Sequence, residues 1–181
     1  YNDLFTFDGV RWSRKQVEER PCARSGHSCV AWRQLLVVFG GWDGDGLLND
    51  AFSFDEHRWH RLSPSGAVPS ARACHTATLL LGDQMVVHGG LESFDDEAAC
   101  IRESLLHILD LSLQQWHAVV TVGRRPADRA FHAAVPLPAQ DAMLIFGGGT
   151  GTSDDALNFG DAYELRRIIW KPSNHCLFPR D

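Results

Sequence analysis

The chain has 181 residues, and its 44% hydrophobic and 22% charged residues are typical of a globular domain with an apolar core. This composition argues against a disordered or fibrous chain, and the formal net charge of -6 argues against binding to the phosphate backbone of nucleic acid. The longest apolar runs are far shorter than the roughly 18 residues of a membrane span, so no membrane partner is expected.

Short strands separated by polar or glycine-containing breaks are predicted along the chain. The opening segment, Asn2 to Asp8 followed by Trp12, closely matches Asn49 to Asp55 followed by Trp59. After it, three sets of four strands are predicted, with positions A to D in each set. They are 26–32, 35–40, 50–55 and 58–62; 74–80, 84–89, 105–111 and 115–120; and 131–137, 142–147, 161–166 and 168–171.

One stretch departs from this strand pattern. Residues 95–111 contain Glu97-Ala98-Ala99 and Arg102-Glu103, whose propensities favour helix. A short helical insert is therefore predicted there, ending before strand C of the second set.

A Pro-x-x-Arg-x-x-His string recurs once in each set, and each copy is followed by an apolar run, a glycine pair and a single tryptophan. The strings are Pro21, Arg24, His27; Pro69, Arg72, His75; and Pro126, Arg129, His132. The predicted units are 1–20, the second half of a unit with strands C and D; the whole units 21–68, 69–125 and 126–178; and 179–181, the start of a further unit.

A period of about 50 residues with four strands per unit is typical of a β-propeller, in which each unit is a twisted sheet, or blade. The glycine pair that closes strand B, the Asp near strand C and the spaced tryptophan in strand D resemble Kelch repeats. The closest match is to the group with Pro-x-x-Arg-x-Gly-His, as at residues 21–27. This resemblance covers essentially the whole chain. It implies an all-β fold, a Kelch-type β-propeller segment of four-stranded antiparallel blades.

Three and a half repeats predict an incomplete ring, because propellers close with about four to eight blades. The spacing from Trp170 to Pro179 equals that from Trp12 to Pro21, which indicates that another repeat begins at Pro179. Further Kelch blades of the same chain are therefore expected outside this segment. In a rival hypothesis two copies would join into seven blades, but each junction would be a marginal two-stranded blade.

The repeated glycines and tryptophans are interpreted as structural. A glycine pair at a strand end allows positive φ and close approach of a neighbouring chain, and a tryptophan on the outer strand buries a large area between blades. These residues are Gly40, Gly41, Gly89, Gly90, Gly147 and Gly148, with Trp12, Trp59, Trp116 and Trp170.

The connections divide between two rims of the propeller, because consecutive antiparallel strands reverse direction. The B-to-C and D-to-A connections share one rim, called here the loop face. The predicted B-to-C loops, residues 42–49, 91–104 and 149–160, are longer and more varied than the A-to-B turns. Variable loops on a rigid scaffold commonly carry recognition, so a partner is expected on the loop face.

Arg24, Arg72 and Arg129 begin strand A on this face. In Kelch domains that recruit ubiquitin-ligase substrates, arginines at the equivalent position bind acidic peptides, so the resemblance implies a protein-binding role here. The alternative is structural: each arginine pairs with the acidic loop beside it or with a neighbouring carbonyl, as its recurrence in every blade favours.

The loops themselves are acidic and carry aromatic residues, and exposed aromatics are common interface anchors. The predicted contact residues are Trp42, Asp43 and Asp45 in the first loop and Glu92, Phe94, Asp95 and Asp96 in the second. In the alternative interpretation, Asp43-Gly44-Asp45-Gly46 is only a turn and Phe94 packs on its own blade.

A propeller enzyme with a metal or sugar-processing site at the same mouth is the competing hypothesis. Copper oxidases of this architecture need more tyrosine ligands than Tyr1 and Tyr163 provide. Glu92, Asp96 and Cys100 have the spacing of the iron site of plant specifier proteins, but Cys replaces the third ligand, His.

The three string histidines, His27, His75 and His132, are expected to form hydrogen bonds in the core, because inner strands splay too far apart to share a metal ion. The five cysteines form no Cys-x-x-Cys pair, and their odd number favours reduced thiols and a location in the cytoplasm or nucleus. The sequence thus predicts a non-catalytic protein-interaction module, a scaffold or substrate adaptor, with no cofactor.

Overall fold

The computed structural model describes residues 1–94, 105–151 and 156–166, and in these ranges the chain is built of strands and one 3-10 turn, Pro138–Gln140. The strands are β1 (Leu4–Phe7), β2 (Trp12–Lys15), β3 (Ser28–Trp32), β4 (Leu35–Trp42), β5 (Leu47–Phe54), β6 (Trp59–Leu62), β7 (Ser65–Gly66), β8 (Thr76–Leu80), β9 (Gln84–His88), β10 (Leu105–Asp110), β11 (Gln115–Val120), β12 (Ala133–Leu137), β13 (Ala142–Phe146) and β14 (Ala162–Arg166). None of the helical structure in these ranges has the length and apolar character needed to cross a membrane.

The strands form successive antiparallel sheets in chain order. Strands β1 and β2 pair as the half-blade, β3 to β6 form blade 1, β8 to β11 form blade 2, and β12 to β14 form the described part of blade 3. This arrangement confirms the all-β propeller segment with four-stranded blades, and the described sheets do not close a ring. The helical insert predicted before strand C, within residues 95–104, and the strand predicted at 168–171 lie outside the described residues.

The first B-to-C loop is shorter than predicted. The sequence suggested a loop over 42–49, but β4 continues to Trp42 and β5 starts at Leu47, with those two residues paired. Strand pairing continues past the glycine pair because a β-bulge shifts the register between Phe39 and Gly41 and accommodates the irregular backbone there. The side chain of Asp43 then closes the turn by accepting hydrogen bonds from the backbone N–H groups of Asp45 and Gly46, at 3.0 and 2.9 Å.

Blades 1 and 2 share one apolar core. Trp116 on strand D of blade 2 is 1% exposed and packs against Phe39 on strand B of blade 1, with ring centroids 5.0 Å apart. Val37 of blade 1 and Met85 of blade 2 belong to the same cluster. This contact confirms the predicted role of the spaced tryptophan in burying area between blades.

The corresponding tryptophans of the earlier repeats are not buried in this way, so the prediction is wrong for them. Trp12 is 70% exposed and touches Phe7 of its own hairpin, while Trp59 is half-buried and packs on Phe54 of its own blade. Trp116 is covered by strand B of the preceding blade, blade 1. The half-blade before blade 1 consists of strands C and D, so it has no strand B to cover Trp59. Trp170 lies outside the described residues.

The glycine pairs have the predicted positive φ angles, for example 63° at Gly40 and 105° at Gly41. A Cβ atom at Gly40 would lie 2.8 Å from the carbonyl oxygen of Arg72, the residue that begins the next blade. The pair therefore serves close backbone packing between blades, as expected for glycine at this position.

One strand was missed by the sequence analysis. Ser65–Gly66, within the D-to-A connection that follows blade 1, pairs in parallel with β11 on the outer edge of blade 2. A two-residue strand of small side chains has no periodicity, so the pattern of alternating apolar residues could not reveal it.

Candidate functional site

Isolated β-bridges join each D-to-A connection to the B-to-C loop of the same blade. Ser25 pairs with Trp42 in blade 1, Ala73 with Leu91 in blade 2, and the bridge of blade 3 joins Ala130 and Gly149. These bridges place both kinds of connection on one rim. The loop face defined from strand alternation is therefore present in all three blades.

The arginines that begin strand A lie under this face, with their guanidinium groups inside the protein. The side chain of Arg24 is 4% exposed and donates to Oδ1 of Asp50 at 2.6 Å and to the carbonyl of Gly40 at 3.0 Å. Burial lowers the pKa of Arg24, but the hydrogen bond and charge of Asp50 outweigh this effect and leave the pKa above its ordinary value.

Arg129 repeats this arrangement in blade 3. Its side chain is 0% exposed and donates to Oδ1 of Asp161 at 2.6 Å and to the carbonyl of Gly147 at 2.9 Å. The hydrogen bond from Arg129 holds the pKa of Asp161 below its ordinary value. Each of these arginines links the glycine pair of its blade to an aspartate of strand C or next to it, Asp50 within β5 and Asp161 just before β14.

Arg72 is fully buried as well, and it donates to the carbonyls of Gly89 and Ser70 at 3.2 and 3.1 Å. All three guanidinium groups are thus bonded within their own blades, as in the structural alternative of the sequence analysis. Direct contact between these arginines and a partner stays a prediction.

The string histidines join neighbouring blades beneath the arginines. His75 Nε2 lies 2.8 Å from Ser28 Oγ of blade 1, and His132 Nε2 lies 2.7 Å from Thr76 Oγ1 of blade 2. Burial lowers the pKa of both histidines to about 3, so both are neutral at physiological pH. This confirms the expected hydrogen bonding for His75 and His132, whereas His27, which begins the first whole blade, is exposed.

Two predicted contact residues form an aromatic pair on the surface of the loop face. Trp42 ends β4 of blade 1, Phe94 follows the glycine pair of blade 2, and their ring centroids are 5.6 Å apart. Each side chain is 39% exposed. Phe94 thus packs across the blade boundary rather than only on its own blade, and the two residues form one apolar patch from two loops.

Acidic residues flank both rings of this patch along the chain. Asp43, Asp45 and Glu92 are all exposed and lie within three residues of one or other ring along the chain. Hydrogen bonds from the backbone N–H groups of Gly46 and Asp45 lower the pKa of Asp43, which keeps its negative charge. The turn interpretation of Asp43 is therefore correct and does not remove its charge from the surface. Asp95 and Asp96 lie outside the described residues.

A second feature of the face was missed by the sequence analysis. A cleft of about 100 Å³ lies between blades 2 and 3, lined among others by Arg124, Arg125 and Tyr163. The two arginines precede Pro126 of the third string directly, and both are exposed. These adjacent arginines are the sequence feature from which the cleft could have been predicted. The loop face thus has an aromatic patch with acidic neighbours over blades 1 and 2, and a cleft beside blade 3 that is lined by these arginines and by Asp128 and Glu164.

Within the described ranges, no group of three His, Cys, Asp or Glu side chains is arranged to hold a metal ion. Of the iron-site candidates, Glu92 is described and Asp96 and Cys100 are not.

The model of the KLHDC2/KLHL20/DRC7 Kelch-repeats domain matches residues 1–148. Kelch domain-containing protein 3 from Bos taurus is 33% identical over 157 residues, which are 80% of this chain and 39% of that protein. Acyl-CoA-binding domain-containing protein 4 from Arabidopsis thaliana is 32% identical over 187 residues, covering 93% of this chain and 26% of that protein. The chain therefore spans about two fifths or less of the length of these relatives.

Proposed function

This chain belongs to the Kelch-repeat family, and from that premise we propose that it is a non-catalytic protein-interaction module that binds its partner on the loop face. The observation that carries the proposal is the contact between Trp42 and Phe94. Two large aromatic side chains, each 39% exposed, meet at the boundary between two blades. Aromatic residues in such positions supply much of the binding energy at protein interfaces.

The three arginines have a positioning role in this proposal. Because Arg24 bonds both Gly40 in β4 and Asp50 in β5, it links the two strands that lead into and out of the first loop. The exposed loop residues Trp42, Asp43, Asp45, Glu92 and Phe94 then make the contact, together with Asp95 and Asp96, which follow Phe94 in the sequence.

The chemistry of the patch favours a partner segment with an apolar side chain flanked by lysine or arginine. Asp43, Asp45 and Glu92 are exposed neighbours of the aromatic pair along the chain, and their negative charge attracts cations and repels acidic peptides. A basic side chain can also lie over an aromatic ring, a contact of about 0.5 to 1 kcal/mol at an exposed site.

We propose that this module serves as a scaffold or substrate adaptor in the cytoplasm or nucleus. Three cysteines, Cys22, Cys29 and Cys74, are free thiols, which suits a reducing compartment.

The test compares affinity capture by the wild-type chain with capture by the double variant Trp42→Ala/Phe94→Ala, quantifying every bound protein by mass spectrometry. The double variant should lose the specific partners while staying folded, with a melting temperature lowered only by the loss of the contact between these two partly exposed rings. Trp12→Ala removes an equally large exposed aromatic away from the loop face and should keep them. If the double variant retains the same partners as the wild type, the proposed site is wrong.

A further inference from the structure

We infer that the outer edge of β6 in blade 1 is a second docking site, which takes an extended segment of another protein with a glycine opposite Trp59 and acidic residues beside it. This site lies on the circumference of the propeller and is independent of the loop face.

The neighbouring blade shows what such an edge accepts. On blade 2, Ser65–Gly66 adds to β11 as a parallel strand, with Gly66 paired to Trp116. The backbone N–H of Ser65 donates to the carbonyl of Gln114, and that of Ala67 donates to the carbonyl of Trp116, both at 3.0 Å. The outer strand of blade 2 is thus covered by the chain itself.

Only glycine fits at the centre of this added strand. Gly66 has a φ of 91°, and a Cβ atom there would collide with the backbone carbonyl oxygen of Trp116. Gly123 stands three residues before Pro126, as Gly66 stands three before Pro69, and its φ is 93°. The same backbone conformation therefore recurs in the next D-to-A connection.

Blade 1 departs from this pattern because Glu18 occupies the equivalent position, three residues before Pro21. A glutamate cannot take the place of Gly66 without the same collision and an unfavourable positive φ. Among the described residues, β6 is accordingly the last strand of its sheet, and residues 16–20 form no strand against it.

The open edge has defined acceptors and a defined charge. The carbonyls of His57 and Trp59 correspond to those of Gln114 and Trp116, the acceptors on blade 2. The cations on this edge are the exposed Arg61 and Arg58, whose side chain is 74% exposed and lies 4.0 Å from the carboxylate of Asp55. An edge strand with free acceptors pairs readily with an added strand, and these charges favour carboxylates beside the central glycine of that strand.

The probe is a synthetic peptide with the sequence of residues 63–70, which contains the Ser-Gly-Ala segment seen on blade 2, lengthened by a glutamate at each end. Its binding to the whole chain is followed by amide chemical shifts, at peptide concentrations up to about 1 mM, because two backbone hydrogen bonds give weak affinity. The amides of residues 57–62 should shift, and a peptide with valine in place of the glycine should leave them unchanged.

Two variants of the chain make the test specific. In the Glu18→Gly variant, the chain's own segment before Pro21 can pair with the edge of β6. Peptide binding should then be lost, and hydrogen exchange of the Val17 amide should slow at least about tenfold. Glu19→Gly is the matched control, since it removes the same charge one residue away, and it should still bind peptide. Equal behaviour of the two variants, equal binding of the valine peptide, or no shift at residues 57–62 would overturn the inference.

Discussion

The backbone N–H of Gly41 donates a 2.8 Å hydrogen bond to the carbonyl of Arg72 and thereby joins the end of strand B in blade 1 to the start of strand A in blade 2. Gly90 and Arg129 repeat this bond between blades 2 and 3, at 3.0 Å. The buried arginines are thus linked to both sides: each side chain bonds the glycine pair of its own blade, and the backbone of Arg72 and of Arg129 bonds the pair of the blade before. These hydrogen bonds form a seam between neighbouring blades that lies beneath the loop face.

Replacing Gly89 by alanine should destabilise the chain by at least about 2 kcal/mol. A Cβ atom there would collide with the carbonyl oxygen of Arg129 and lie 2.9 Å from the ring of His132, and the φ of Gly89 is 63°. Urea denaturation measures the change. Gly46→Ala is the control, because nothing lies within 4 Å of its Cβ position and its φ is not positive, and it should be nearly neutral. Similar losses in the two variants would contradict the seam as described.

Trp116→Ala should cost about 3 to 5 kcal/mol of unfolding free energy, because this 1% exposed side chain fills the core shared by blades 1 and 2. Trp12→Ala removes the same side chain at 70% exposure and should cost much less. Thermal unfolding of both variants gives the comparison. A small loss for Trp116→Ala would mean that the two blades are not packed as one core.

Arg129→Met should lower the unfolding free energy by about 2 to 3 kcal/mol, because it leaves the carbonyls of Gly147 and Ala127 without their donor. Arg166→Met is the matched control, since Arg166 pairs with Glu164 at an exposed position and should change stability little. If instead Arg129→Met left stability unchanged but abolished partner binding, Arg129 would be a contact residue rather than a positioning residue.

Acidification should destabilise the chain between pH 6.5 and 5. His75 and His132 have pKa values of about 3 when folded, well below the ordinary histidine pKa of 6.5, so the unfolded chain binds more protons in this range. Stability is therefore full above pH 6.5 and falls as the pH drops towards 3. Each histidine should contribute about 1 to 2 kcal/mol of loss between pH 7 and 5.

Urea denaturation at several pH values in this range checks the prediction, and His75→Gln should reduce the slope. Carboxylates with lowered pKa, such as Asp161, act in the same direction but at lower pH, because their ordinary pKa is 3.8. Stability that stays constant from pH 7 to 5, or a slope unchanged in His75→Gln, would show that the two histidines do not remain neutral in the folded chain.

Much of the fold could be predicted from the sequence because each repeat contains the same pattern of strands. The burial of Trp116 and the positive φ of Gly40 and Gly41 could be predicted from their places in the repeat and from the properties of tryptophan and glycine. The exposure of Trp12 and the incomplete burial of Trp59 could not be predicted from the sequence, because they depend on which strands the preceding unit supplies. Likewise the first loop is short because a bulge at the glycine pair preserves strand pairing up to Trp42, which is a matter of register rather than composition.

The site was predicted in part. The acidic and aromatic loop residues were proposed from their chemistry, and the structure brings Trp42 and Phe94 into contact, while their role in binding stays a prediction. A sequence shows that Arg24 stands beside a loop but not which way its guanidinium group points, and here it points to Asp50 inside the blade. The strand at Ser65–Gly66 was missed because it depends on backbone conformation at one glycine.

The most direct test of the loop-face account is site-specific photo-crosslinking from the aromatic patch. A benzoylphenylalanine placed at Trp42 should crosslink the captured partner, with yields that fall as ionic strength rises from about 0.01 M to about 0.15 M, because the acidic surround attracts a basic segment. The same photoreactive residue at Trp12 is the control and should give no such product. A partner that crosslinks equally from both positions, or from neither while still being captured, would contradict the assignment of binding to the loop face.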